Sequence, residues 1–296
     1  MPFLGELSAL LTAFLWSGTS IVFTEATKRV GSIQVNITRM LLALLMLGLT
    51  IWIFGLDLTM STSQIVNLTW SGVVGLVIGD SFLFRAFKDI GARVSMLIMS
   101  LVPAMTAVMG LMFLDEHLST EAVLGMVITI GCITFVVLER RRLATDKHAI
   151  SPRGLIYAII GALGQAAGLI FAKLAFNEAP IHGMVATTVR IASAVILFVP
   201  IAVLLRWYPN PFKVYRNNRA ALGFTMTGAV LGPYLGITFS LVAIAHTEVA
   251  VATTIMSLPP IIMLPMVYYY YKETLSWRAV AGAVIAVLGV SVLFLR

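Results

Sequence analysis

Long apolar stretches alternate with short polar breaks along all 296 residues of the chain. The breaks delimit ten candidate helices, near 3–25, 33–54, 65–88, 93–114, 120–139, 153–176, 182–206, 219–245, 248–271 and 275–295. An apolar stretch of about 18 residues or more can cross roughly 30 Å of hydrocarbon as a helix. Only two connections have real length, "ERRRLATDKHAISPRG" (139–154) and "RWYPNPFKVYRNNRA" (206–220). The pattern predicts an all-α integral membrane protein with ten transmembrane helices.

The polar marks between the runs repeat. "SLVPAMTAVMGLMFLDEHLS" begins at Ser100 and "SLPPIIMLPMVYYYYKETLS" begins at Ser257. Shifted by 157 residues, 79–138 aligns to 236–295 without a gap, and 19 of the 60 pairs are identical. The matches include Met99 with Met256, Pro103 with Pro260, Glu116 with Glu273 and Ser119 with Ser276. Upstream, Arg39 in "NITRMLLALLML" answers Arg190 in "TTVRIASAVILF". The expected units are therefore 1–139 and 153–296, joined by a basic loop at 140–152. An odd number of spans per unit turns the second copy over. The prediction is two inverted five-helix repeats around a central cavity, with a site near the midplane.

Composition agrees with a membrane protein. Hydrophobic residues make up 59% of the chain, charged residues 11%, and the mean hydropathy is +0.98. Soluble domains carry about 25% charged residues. A net charge of +7 would suggest nucleic acid in a soluble protein. Here it reflects basic loops, and no nucleic-acid partner is expected. Loops after helices one, three, five, seven and nine hold 16 Lys and Arg, and the opposite set holds only Arg296. Positive loops stay cytoplasmic, which places both termini outside the cytoplasm of a plasma or inner membrane. The first apolar run is too long for a cleaved signal and has no basic flank, so it is expected to remain as a span. The one cysteine, Cys132, forms no intrachain disulfide and reads as a small packing residue.

"LWSGTSIVFTEA" in the first helix, Arg39 in the second and Ser-Leu-Val-Pro with "DEHLS" across the fourth and fifth resemble the drug/metabolite transporter superfamily, specifically its EamA-type members. "VRIA", "SLPP" and "KETLS" repeat the marks in the second half. The resemblance covers nearly the whole chain. It implies EamA-like repeats around a central cavity that exchanges or exports small metabolites. Helix six departs from helix one in reading "ALGQAAGLIFAKLA", without a tryptophan. The charge count also opposes the cytoplasmic termini that the resemblance implies.

Charges within spans need a reason, because each costs at least about 2.5–3.5 kcal/mol on insertion scales. Asp80 lies just past mid-depth of the third helix. It reads either as a proton carrier or cation partner, or as the structural partner of Arg39 or Lys173. Gly75 and Gly79, one turn apart, invite a close neighbouring helix. Arg39 and Arg190 occupy matching places, which suggests architecture: each is expected to pair with an acid or cap helix-end carbonyls. Lys173 is expected to snorkel to the surface. Glu116 and Glu273 are expected to anchor turns by accepting hydrogen bonds, with gating as the alternative. Ser119 and Ser276 are expected N-caps.

Pro103 and Pro260 are expected to kink helices four and nine, as hinges or as static bends, with Ser100 and Ser257 bonding the freed carbonyls. The expected cavity lining is Trp16, Ser17, Thr19, Asp80, Met99, Ser100, Gln165, Tyr234, Met256 and Ser257. The "YYYY" run at 268–271 reads as an interfacial belt. No HExxH, GxSxG or P-loop pattern occurs, and the histidines lack metal-ligand spacing. Neither an enzyme nor a cofactor or metal is expected. The reading is a secondary transporter of small organic metabolites, such as amino acids or related solutes, with a proton at Asp80 as the candidate coupling ion. A passive exchanger or channel-like permease is the alternative.

Overall fold

The computed structural model describes residues 3–143 and 151–263, with positions 277, 281, 282, 284, 285, 288 and 289. Glu273, Ser276 and the tyrosine run lie outside the described residues. In chain order the long helices are α1 (Leu4–Val30), α2 (Ser32–Phe54), α3 (Thr62–Ala92), α4 (Val94–Phe113), α5 (Thr120–Leu143), α6 (Pro152–Glu178), α7 (Gly183–Leu204), α8 (Arg219–His246) and α9 (Val249–Met263). Seven of them, all but α5 and α9, are long and apolar enough to cross a membrane. α5 and α9 contribute shorter apolar stretches, Thr120–Cys132 and Val249–Met263. Among the described residues there is no strand.

The helix ends follow local chemistry. Gly31 and Gly91 have φ of 89° and 77°, which a residue without Cβ adopts freely, and they make the tight α1–α2 and α3–α4 corners. Ser61 and Gln64 form a reciprocal capping box at the start of α3. Ser119 Oγ accepts from Ala122 N at 3.2 Å, as the N-cap expectation requires.

The two prolines depart from expectation. Neither sits at a mid-helix kink. Helix stops at Ser100 and restarts at Val102, so Pro103 occupies a first turn, where its missing N–H costs nothing. The second half does the same around Ser257, before Pro260. Ser100 Oγ donates to Leu97 O at 2.6 Å and Ser257 Oγ to Thr254 O at 2.7 Å. They tie down the end of the preceding turn rather than the carbonyls facing the prolines. These bonds lie 157 residues apart.

The same interval relates two π-helical segments, Val73–Gly79 in α3 and Val230–Gly236 in α8. Each widens the helix by one residue per turn and re-aims the turns beyond it. The first packs on α6. A Cβ on Gly168 would lie 2.9 Å from Gly75 Cα, and one on Gly164 would lie 2.7 Å from Gly79 Cα. Only glycines permit this approach. The second packs on α1, where a Cβ on Gly236 would meet Trp16 Nε1 at 2.7 Å. Where α6 offers a glycine, α1 offers an indole. That difference accounts for the tryptophan missing from helix six.

Directions follow from contacts at the helix ends. Thr247, just past α8, donates to Glu6 Oε1 in the first turn of α1 at 3.3 Å. Its carbonyl accepts from Lys173 Nζ, near the end of α6, at 3.0 Å. The start of α1 and the end of α6 therefore share one end of the bundle, and these helices run oppositely. At the other end Arg29, closing α1, stacks over Phe224, near the start of α8, at 4.9 Å.

Small residues recur in the core beside larger ones such as Phe23, Ile37 and Leu241, and bulky apolar side chains cover the rim. Ala9, Ala13, Ala166, Ala172 and Ala194 are fully buried, whereas Trp52 and Leu204 are 80% and 82% exposed. Close-packed small residues inside and bulky apolar ones outside suit a bundle whose solvent is lipid.

Candidate functional site

The site is built from the polar residues that the close packing encloses. Arg39 in α2 is 4% exposed and forms a salt bridge with Asp80, which follows the first π segment in α3. Asn36, one turn before Arg39, accepts from its Nε at 3.0 Å and its Nη2 at 2.9 Å. Asn36 Nδ2 in turn donates to Ser81 Oγ at 3.1 Å and Leu76 O at 3.3 Å. The guanidinium also lies 4.7 Å from the Phe84 ring centroid and 5.4 Å from that of Phe23. A buried charge is tolerated when paired and hydrogen-bonded, and Arg39 meets both conditions. Of the two readings of Asp80, its pairing with Arg39 is present in the structure.

Arg190 in α7 was expected to match Arg39, and it does not. It is 1% exposed, and its Nε, Nη1 and Nη2 have no hydrogen-bond partner. It neither pairs with an acid nor caps a carbonyl. The repeat supplies the reason. Shifted by the 151 residues that separate the arginines, Asn36 becomes Thr187, whose hydroxyl bonds its own helix at Gly183 O, at 2.8 Å. Shifted by 157, Asp80 becomes Ile237. Neither matched position carries the partner that serves Arg39. Gly75 makes room for the head group: a Cβ there would lie 2.5 Å from Arg190 Nη2.

Both arginines, Asp80, Trp16, Thr19, Gln165 and Ile237 line a cavity of about 80 Å³. Phe23, Phe84, Phe87, Met96 and Met99 form its apolar wall. A second space of about 30 Å³ adjoins it across Trp16, Met96, Met99 and Gln165. Ser100, Met256 and Ser257, from the two interrupted helices, line this second space. Helices from both halves of the chain thus line both spaces.

Eight of the expected lining residues are brought together there. Ser17 and Tyr234 are not. Ser17 is fully buried and donates to Ala13 O at 2.6 Å within its own helix. The Tyr234 hydroxyl bonds Thr50 Oγ1 at 2.8 Å, between α8 and α2. Phe23, Phe84, Phe87 and Met96 were missed, because an apolar side chain in a lipid-facing sequence gives no sign of which way it faces. Asn36 had a visible signal, a carboxamide one turn before Arg39.

Two further charges serve the junctions. Glu116 accepts from Val249 N at 3.0 and 3.3 Å, so the backbone N–H it holds is that of the start of α9, in the other half. A carboxylate there also meets the positive end of a helix. Lys173 is half-buried and reaches toward the end of the bundle where α6 exits; its Nζ donates to Ile244 O at 2.7 Å and Thr247 O at 3.0 Å, closing the last turn of α8.

The model of the EamA-like transporter family matches residues 3–138 and again residues 152–295. The chain belongs to the EamA-like transporter family. Each half of this EamA-like chain thus matches the family model by itself. Its fold is similar to that of a solved protein crystal structure with a TM-score of 0.77 at 15% identity, over 99% of this chain and 96% of that one. Among curated proteins none matches the sequence. The EamA-like family is one of transporters, and the chain is a multi-pass membrane protein that carries small solutes.

Proposed function

We propose that this EamA-like protein is a secondary transporter of small organic solutes, with ten spans in two inverted five-helix repeats that rock about the enclosed site. One observation carries the reading: a mainly apolar cavity that holds Arg39, Asp80, Gln165 and Arg190 lies where α1 to α4 meet α6, α7 and α8. Opposed α1 and α6, and π segments 157 residues apart, support the inverted relation. The solute would rest among Trp16, Thr19, Met99 and Gln165, with Ser100, Met256 and Ser257 in the adjoining space. The helix breaks before Pro103 and Pro260 would be the hinges, and Glu116 a latch between the halves.

A passive exchanger is the second reading, favoured by Arg39. Asp80 is the one carboxylate among the described lining residues, and Arg39 already engages it in a salt bridge. Uptake into proteoliposomes with and without an imposed pH gradient separates the two. With coupling at Asp80, the fraction of Asp80→Asn protein that elutes folded keeps exchange and loses gradient-driven accumulation. Accumulation that survives the substitution removes Asp80 from that role. Absence of saturable flux for every solute that stabilises the protein would remove the transporter reading itself.

A further inference from the structure

We infer that Arg190 is the binding group for the anionic end of the solute, and that the protein takes organic monocarboxylates with an apolar body. The inference deepens the transporter reading and rests on it for biological use, though not for its test.

Four observations converge. Arg190 is buried with all three guanidinium nitrogens unpartnered, and it lines the main cavity. Leaving such a charge unpaired is costly, so its persistence in a tightly packed bundle calls for a partner that comes and goes. The one acid among the described lining residues is already engaged: Asp80 attracts Arg190 from a distance but hydrogen-bonds Arg39, which repels it. Among the described lining residues two arginines face one carboxylate, so the cavity carries one positive charge in excess. A ligand with one negative charge neutralises it.

The donor geometry and the wall narrow the class. A guanidinium presents paired N–H groups that match the two oxygens of a carboxylate. Beside the polar Thr19, Ser20 and Gln165, the lining is mostly apolar, with Trp16, Phe23, Phe84, Phe87, Met96 and Met99 on the wall, which suits an aromatic or aliphatic body. A phosphate monoester carries roughly 1.5 to 2 negative charges near neutral pH and exceeds the excess. A zwitterionic amino acid needs a free anion for its ammonium group, and Asp80 is held by Arg39.

The test is thermal unfolding and calorimetric binding of the full chain in detergent, with benzoate, phenylacetate, benzamide, inorganic phosphate and phenylalanine as probes. The expected result is stabilisation by the two carboxylates and by none of the others. Arg190→Met is expected to weaken carboxylate binding by roughly 30-fold or more, the scale for losing one partner of a buried charge pair. The unliganded variant is expected to unfold at a higher temperature than the wild type, because an uncompensated charge has gone. A structural arginine would give the opposite shift. A second variant, Gly75→Ala, displaces the head group and is expected to weaken carboxylate binding with Arg190 in place.

Equal stabilisation by benzamide, unchanged binding in Arg190→Met, or a lower unfolding temperature for that unliganded variant would overturn the assignment. Stronger stabilisation by phenylalanine than by phenylacetate, or by phosphate, would overturn the monocarboxylate class. Saturable flux of a neutral or cationic solute alongside any of these results would leave the transporter reading standing.

Discussion

A single carboxylate beside two arginines decides the chemistry at the residue scale. Asp80 satisfies Arg39 and leaves Arg190 short. Asp80→Asn should therefore expose a second unpaired guanidinium and destabilise the protein by about 3–5 kcal/mol. Replacing both members, as in Arg39→Met with Asp80→Leu, should recover most of that loss. Thermal unfolding of the two single variants and the double variant measures the coupling, and simple additivity would show that the pair contributes nothing jointly. This residue pair was half legible in the sequence. A charge inside an apolar span announces itself, and the sequence offers Arg39 as one of two partners. The solitude of Arg190 was not legible from symmetry, because symmetry predicts equal roles. It arises at the pairs that are not identical, Asn36 against Thr187 and Asp80 against Ile237.

At the scale of elements, glycine spacing sets the approach of α3 to α6. Gly164→Val should force the helices apart at Gly79, where even a Cβ has only 2.7 Å. The expected outcome is loss of folded protein in a size-exclusion profile, with Gly223→Val, which meets nothing within 4 Å, as the tolerated control. Glu116→Ala should weaken the start of α9 by about 1 kcal/mol, the scale of a lost helix cap, read by thermal unfolding. At the other end of the bundle, Tyr208 and Tyr215 lie between α7 and α8, and burial raises both phenols above their ordinary value. Folding holds their protons longer than the unfolded chain does, so this stabilisation is full below a pH of about 10 and falls as pH rises beyond it. A phenolate absorbance titration of folded and denatured protein checks the order of the two transitions.

Helix positions were legible from the apolar pattern, since a span needs a long greasy run. The interruptions at Ser100 and Ser257 were not, because a proline marks a kink and a restart with the same letter. The π segments were invisible for a similar reason: a one-residue widening leaves hydropathy unchanged.

The whole molecule is organised by its two ends. α1 and α8 bring Lys28, Arg29 and Arg219 to one end, and Arg153 at the start of α6 joins them beside the close of α3, where Gly154 approaches Asp89 and Ile90. If that end faces the cytoplasm, a reporter fused after Arg296 will be active only on the far side of the membrane. Activity in the cytoplasm would reverse the assignment. The central claim is that oppositely running halves enclose a site that opens to each side in turn. The most direct measurement places a single cysteine at Met99, which borders both cavities, in a Cys132→Ser background. A membrane-impermeant thiol reagent applied to one face or the other of oriented vesicles should label it from both. Labelling from one face alone, or from neither, would contradict the account.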